Sequence, residues 1–166
     1  SVGLADHGAL TAAIDAAIDG AGELREDASP ALRALRRELQ AQRSAILSQL
    51  ESLLRRGGES ADAYVTLRAE RYVIPVRTEH ASRVPGIVHD RSASGSTLFV
   101  EPLEVLDANN ELQRRRDAER REMLRILSEL TGRIAADRAA AAASLEALEV
   151  VDEMQARGPV TTTFTP

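Results

Sequence analysis

Apolar residues recur at helical spacing over both ends of the chain and alternate over its middle. Leu10, Ile14 and Ile18 fall at i, i+4 and i+8, which predicts a short amphipathic helix over 9–19, ended by Gly20 and Gly22. Ser29-Pro30 then supplies a helix start, with serine as N-cap and proline at the first helical position. From there Leu32, Leu35, Leu39, Gln42, Ile46, Gln49 and Leu53 step by three and four, a heptad seam with two polar interruptions. Gly57-Gly58 is read as its stop. At about 1.5 Å per residue the predicted helix over 29–56 spans roughly 42 Å.

The period then changes to two. Tyr64 to Arg68 and Tyr72 to Arg77 predict a hairpin around 69–71, with Pro75 marking its strand as an edge or as locally interrupted. Val84 to Asp90 and Thr97 to Val100 predict a second pair, joined by the turn Ser92-Ala93-Ser94-Gly95-Ser96. Glu101-Pro102 leads into a helical pattern through Leu103, Leu106, Asn110, Met123, Leu127, Leu130, Ile134, Ala141, Leu145 and Leu148, one long helix over 103–157 with Gly132 as a weak point. The predicted architecture is mainly α with a small β insertion: a long antiparallel helical hairpin carrying an antiparallel β-containing tip. Ala139 to Ala143 would face Ala12, Ala13, Ala16 and Ala17 across it, close enough for tight helix approach. The segment Val160 to Pro166 reads as an extended tail.

Composition narrows the chemistry. Of 166 residues, 43% are hydrophobic but only 2% aromatic, which suits helix seams and argues against base stacking on aromatic platforms. All 21 basic residues are arginine, so the lysine of a phosphate-binding Walker loop is absent and no nucleotide site of that type lies on the chain. Cysteine is absent too, which removes disulfides and thiolate zinc sites. His80, His89 and Asp90 match no zinc-ligand spacing, and on a regular strand His89 and Asp90 point to opposite faces. No catalytic constellation emerges. No run approaches the ~18 apolar residues of a membrane span, and a cytoplasmic bacterial protein is expected.

The net charge of −5 excludes a generally basic nucleic-acid binder, so any such contact must be local. From Arg68 to Arg91 the tip holds five arginines against Glu70, Glu79 and Asp90, a local excess of two (five minus three). Arg77, Arg83 and Arg91, with Ser92, Ser94, Ser96 and Thr97 of the turn, are therefore candidates for phosphate contact. The competing assignment makes the turn purely structural, with Asp90 bonding its N–H groups. The denser arginines at 114–116, 120, 121 and 125 are interleaved with acids, as on a salt-bridged helix face.

RYVIPV at 71–76, PGIVHDRSASGSTLFVEP at 85–102 and NNEL at 109–112 resemble the MutS family, and within it the second bacterial subfamily, MutS-two. ASPALRALRREL at 28–39 resembles the start of that family's lever helix, and the resemblance runs over roughly 9–157. It implies a first lever arm over 1–62, a β-containing clamp tip over 63–102, a returning lever helix over 103–157, and a tail over 158–166 toward an ATPase domain. It further implies a nucleic-acid-clamping module with no cofactor of its own, in a homodimeric ATPase that binds ATP and Mg elsewhere and in many members carries an Smr nuclease domain. The implied targets are branched or double-stranded DNA, in recombination suppression or repair, or ribosomal RNA, in ribosome rescue; no membrane is involved. The alternative from another class is a structural coiled-coil module that oligomerises or meets a protein partner.

Overall fold

The computed structural model describes residues 7–56 and 64–156, so the Gly57-Gly58 stop and the tail beyond 157 lie outside the described residues. The elements are α1 (His7–Ala17), α2 (Pro30–Arg56), β1 (Thr66–Arg68), β2 (Arg71–Arg77), a 3-10 helix (Thr78–Arg83), β3 (Gly86–Arg91), β4 (Thr97–Pro102) and α3 (Leu103–Ala156). They divide into two compact units, one of the residues up to Ala28 together with those from Leu124 on, the other Ser29–Met123.

In the first unit α1 ends at Ala17, two residues short of the predicted helix end at Asp19, and a turn follows that Asp19 organises. Its carboxylate accepts the N–H groups of Ala21 (2.9 Å) and Glu23 (3.0 Å). These bonds, Glu23's first, hold the Asp19 carboxyl below the usual carboxylate range, with the charge of Arg25 adding to them. The alanine seam does not close: Ala12, Ala16, Ala139, Ala140, Ala142 and Ala143 are exposed, and burial concentrates on Ala17, Ile126 and Leu130. Alanine removes little apolar area per side chain, so the larger residues decide which faces are covered. Leu124, Leu127, Ile134 and Leu145 of α3 stay exposed.

In the second unit Ser29 caps α2 as its sequence predicts, its Oγ accepting the Leu32 N–H at 2.9 Å and donating to Glu122 at 2.7 Å. Arg36 pairs with Glu119, Arg115 with Glu38 and Gln42, and Gln42 donates to the Ala108 carbonyl. Partners thus run up α2 and down α3, an antiparallel helix pair joined by polar contacts. The heptad seam of α2 holds only part of the way. Gln49 is exposed, and the buried stripe over the sheet is Ile46, Leu50 and Leu54. Steps of four replace the three-four alternation because α2 changes partner there, from a helix to a sheet face.

The two predicted hairpins join into one antiparallel sheet of order β1-β2-β4-β3. Tyr72, Ile74 and Val76 of β2 and Leu98 and Val100 of β4 form its inner face, packed with Ile46, Leu50, Leu54, Val105 and Leu112. Pro75 therefore sits in an inner strand. β1 reaches only from Arg71 to Val73 of β2, however, so Pro75 has β4 on one flank and no strand on the other. The missing N–H thus costs no bond to β1. Gly86 pairs with Pro102 at the start of β3, where a Cβ would collide with the Glu101 carbonyl oxygen.

α3 begins at Leu103 as the sequence predicts, but its inward face is displaced by about one position from the predicted seam. Val105, Asn109 and Leu112 are buried, while Leu103 is exposed. A polar residue, Asn109, occupies the central inward position, so apolar periodicity alone cannot find this face.

Candidate nucleic-acid interface

The outer face of the sheet, opposite the one packed on the apolar core, is built by alternation: Arg71 and Val73 of β2, Phe99 and Glu101 of β4, and Thr66 and Arg68 of β1 by register. β3 departs from strict alternation. A bulge between Val88 and Asp90 lets His89 reach Glu101 while Asp90 pairs opposite Phe99, so both join the outer face, contrary to the regular-strand expectation.

Glu101 is the centre of this face and is 0% exposed. Arg71 Nη1 donates to its Oε1 at 2.9 Å, Asn109 Nδ2 donates to the same oxygen at 2.9 Å, and His89 Nε2 lies 2.5 Å from Oε2. Asn109 also exchanges both backbone bonds of Tyr72, accepting from its N–H (3.2 Å) and donating to its carbonyl (3.0 Å). One carboxylate thus ties together β2, β3, β4 and α3. Beside it the Arg68 guanidinium lies 4.1 Å over the Phe99 ring and pairs with Asp90 at 3.1 Å. Asp90 accepts the N–H of Arg91, the last residue of β3, and no N–H of the turn, so it is not the anchor of the turn. Among the described residues no buried side-chain polar atom lacks a partner.

The hydroxyl turn closes on itself. Ser92 N–H donates to the Thr97 carbonyl, Thr97 N–H donates to Ser92 Oγ at 3.1 Å, Gly95 N–H donates to the Ser92 carbonyl, and Ser94 and Ser96 share a hydrogen bond of 2.7 Å. Gly95 takes a φ of 71°, where its missing Cβ matters. Arg77 stands opposite Thr97 and Arg91 opposite Leu98, so both flank this turn and both are exposed. Arg77 faces Glu79 at 3.7 Å, and among the described residues Arg91 has no acidic partner. An open groove runs along Arg77, Thr78, Glu79, Ser96 and Thr97.

Arg83 is not brought to this end. It closes the 3-10 helix that leads from β2 to the start of β3, and lines a cavity of about 230 Å³ with Leu53, Pro85 and Pro102. The six residues Arg77, Arg91, Ser92, Ser94, Ser96 and Thr97 thus share one end of the sheet, and Arg83 the other. The arginines of α3 are laced as a salt-bridged face: Arg114 and Arg115 with Glu111, Arg120 with Asp117, and Arg125 with Glu129. The Arg114 bond, with Arg115 adding to it, holds the Glu111 carboxyl below its usual range.

Thr78 escapes sequence reading, and Glu79 enters it only as a charge of the tip, because the 3-10 helix carrying them has no apolar period. Glu101 had one usable signal: it falls on the Phe99 face, where a charge on a covered strand requires partners.

No protein-family model matches the chain. It is 47% identical over 139 residues to Endonuclease MutS2 of Pelotomaculum thermopropionicum, covering 82% of this chain and 18% of that protein. Endonuclease MutS2 of Thermus thermophilus is 44% identical over 156 residues, 93% of this chain and 21% of the relative. For Endonuclease MutS2 of Thermomicrobium roseum the identity is 48% over 133 residues, 80% of this chain and 17% of the relative. The chain therefore spans about a fifth of the length of these relatives.

Proposed function

Since the chain belongs to the MutS2 family, we propose that the end of the sheet carrying the Ser92–Thr97 turn contacts nucleic-acid phosphates without reading sequence, as the clamp of a helical lever. The observation that carries this reading is how the tip's arginines are used. Arg68 and Arg71 are committed to Asp90 and Glu101, whereas Arg77 and Arg91 stand exposed on either side of a hydroxyl-rich turn. A guanidinium offers two parallel N–H groups to two phosphate oxygens, and hydroxyls add weaker donors. Contacts of this kind fix position on the backbone and carry no base information.

In the same reading α2 and α3 form the lever, and the whole protein is a homodimeric ATPase with nuclease activity, the latter following its relatives' name. ATP and Mg would bind elsewhere in that protein. A Walker loop needs a lysine and this chain has none. Duplex or branched DNA is the proposed target, in recombination suppression or repair; ribosomal RNA, in ribosome rescue, is its competitor. No helix among the described residues is long and apolar enough to cross a membrane.

Binding of a duplex DNA by the intact protein across a salt series tests the reading. Each neutralised phosphate contributes about 0.9 to the slope of log K against log salt, so Arg77→Ala with Arg91→Ala should flatten it by about 2. An unchanged slope rejects the tip as the contact, and preferential displacement by a ribosomal RNA stem-loop reassigns the target to RNA.

A second reading, a structural module that seats a partner helix, draws on the exposed Leu124, Leu127, Ile134 and Leu145, which keep heptad-compatible spacing along α3. Sedimentation separates the two: a tight dimer without nucleic-acid affinity favours the second.

A further inference from the structure

We infer that Glu79 is a built-in counter-anion at the tip: its carboxylate holds Arg77 until a phosphate displaces it, and so sets how tightly nucleic acid is gripped. This rests on the phosphate-contact reading above and adds a residue and a control to it.

Glu79 stands in the first turn of the 3-10 helix. Its Oε1 lies 3.7 Å from Arg77 Nη1 and 3.9 Å from His80 Nε2, in the groove shared with Thr78, Ser96 and Thr97. The backbone beneath it is tied to the hydroxyl turn. Thr78 N–H donates to the Ser96 carbonyl at 3.0 Å, and Thr78 Oγ1 donates to the Gly95 carbonyl at 2.7 Å. Arg77 is fixed in turn by its register opposite Thr97. The carboxylate is therefore held near Arg77 by the fold rather than by the strength of the pair.

That pair is weak by design of its surroundings. The Arg77 and Glu79 side chains are 74% and 67% exposed, and 3.7 Å is too long for a hydrogen bond. Exposed pairs of this kind contribute little, so a phosphate with two well-placed oxygens can take the guanidinium. After the exchange the Glu79 carboxylate remains beside the bound phosphate and repels it. A unit-charge repulsion at about 4–6 Å in water corresponds to a three- to fivefold weaker Kd. Arg91, across the turn, has no such opponent among the described residues. The tip thus combines one open arginine with one held in check, which keeps its grip reversible and favours movement along a duplex over fixed capture.

The test is fluorescence anisotropy of a short fluorescein-labelled duplex DNA titrated with the intact protein at low salt. Glu79→Gln is expected to tighten Kd about three- to fivefold, with the gain shrinking as salt rises. In an Arg77→Ala background the gain should fall below about twofold, since no arginine remains to hold a phosphate beside Glu79. Glu51→Gln, which removes an exposed acid on α2, should leave Kd unchanged. If Arg77→Ala weakens binding and Glu79→Gln does nothing, the counter-anion role is overturned and the phosphate reading stands. Equal tightening in the presence and absence of Arg77, or from Glu51→Gln, also overturns it by exposing a general charge effect. If Arg77→Ala alters neither Kd nor the salt slope, the phosphate reading fails, and the counter-anion role falls with it.

Discussion

Arg71 and Arg77 stand at opposite ends of β2, and the sheet uses them in opposite ways. Arg71 gives its guanidinium at 2.9 Å to Glu101, a carboxylate shut off from water and shared with Asn109 and His89. Arg77 meets Glu79 at 3.7 Å across open solvent. In the first pair, every group depends on the others, because a buried charge without partners is costly. The second can open and close at little cost, because water replaces whatever is lost. Both pairs fall within or beside the segments that resemble the MutS family most closely. Sequence similarity there therefore mixes two kinds of requirement: residues that build the sheet and residues free to meet a ligand.

The strongest way to break this comparison is Glu101→Ala. It leaves Arg71, His89 and the Asn109 amide aimed at a void and loosens the joint between α3 and the sheet. Removing one partner of a buried ion pair costs about 3–5 kcal/mol, to be read as a lowered urea midpoint. A loss below about 1 kcal/mol would show that solvent reaches Glu101, and the contrast between the two ends of β2 would vanish.

Next in size is Gly86→Ala. The new Cβ would meet the Glu101 carbonyl oxygen and Val100 Cγ1, forcing β3 away from β4 beside the same centre. Crowding of this kind costs about 1–3 kcal/mol. Amide hydrogen exchange should show the loss first along β3, which is an edge strand and has no second neighbour to hold it.

The helices and all four strands were legible because apolar spacing reports burial directly, and the Ser29 cap and the turn at 92–96 because their residue types suit few other conformations. What stayed hidden depends on polar groups meeting over long sequence separations. Asn109 lies off the predicted α3 seam, which passes through Asn110, yet it takes an inward position and reaches Tyr72, 37 residues away. The bulge that turns His89 and Asp90 to one face has no local signature. At the candidate site, the turn and its flanking Arg77 and Arg91 follow from chain order. The separation of Arg83 does not, because it depends on the 3-10 helix carrying the chain from the end of β2 to the start of β3.

A smaller effect, of opposite sign, tests the β1–β2 connection. Ala69 and Glu70 take φ values of 47° and 63°, which side-chain-bearing residues adopt at a cost, and Gln113 and Arg116 of α3 both donate to the Glu70 carbonyl (2.6 and 2.9 Å). Ala69→Gly relieves about 1–2 kcal/mol of left-handed strain and gives back part of it as unfolded-state entropy. The variant should be more stable by about 0.5–1 kcal/mol in urea melts. A decrease would mean that the α3 bonds to Glu70, rather than the turn residues' own preferences, fix this conformation.

The smallest expected change is also the sharpest test of the open end. Arg77→Ala and Arg91→Ala should each alter stability by no more than about 0.5 kcal/mol, because neither side chain is buried and neither makes a short ion pair. That near-zero value gives the binding comparison its meaning. If the same variants flatten the salt dependence of DNA binding while their urea midpoints hold, the lost affinity belongs to the side chains and not to a damaged sheet. If either variant unfolds as readily as Glu101→Ala, Arg77 or Arg91 belongs with the framework, and the two ends of β2 no longer differ in kind.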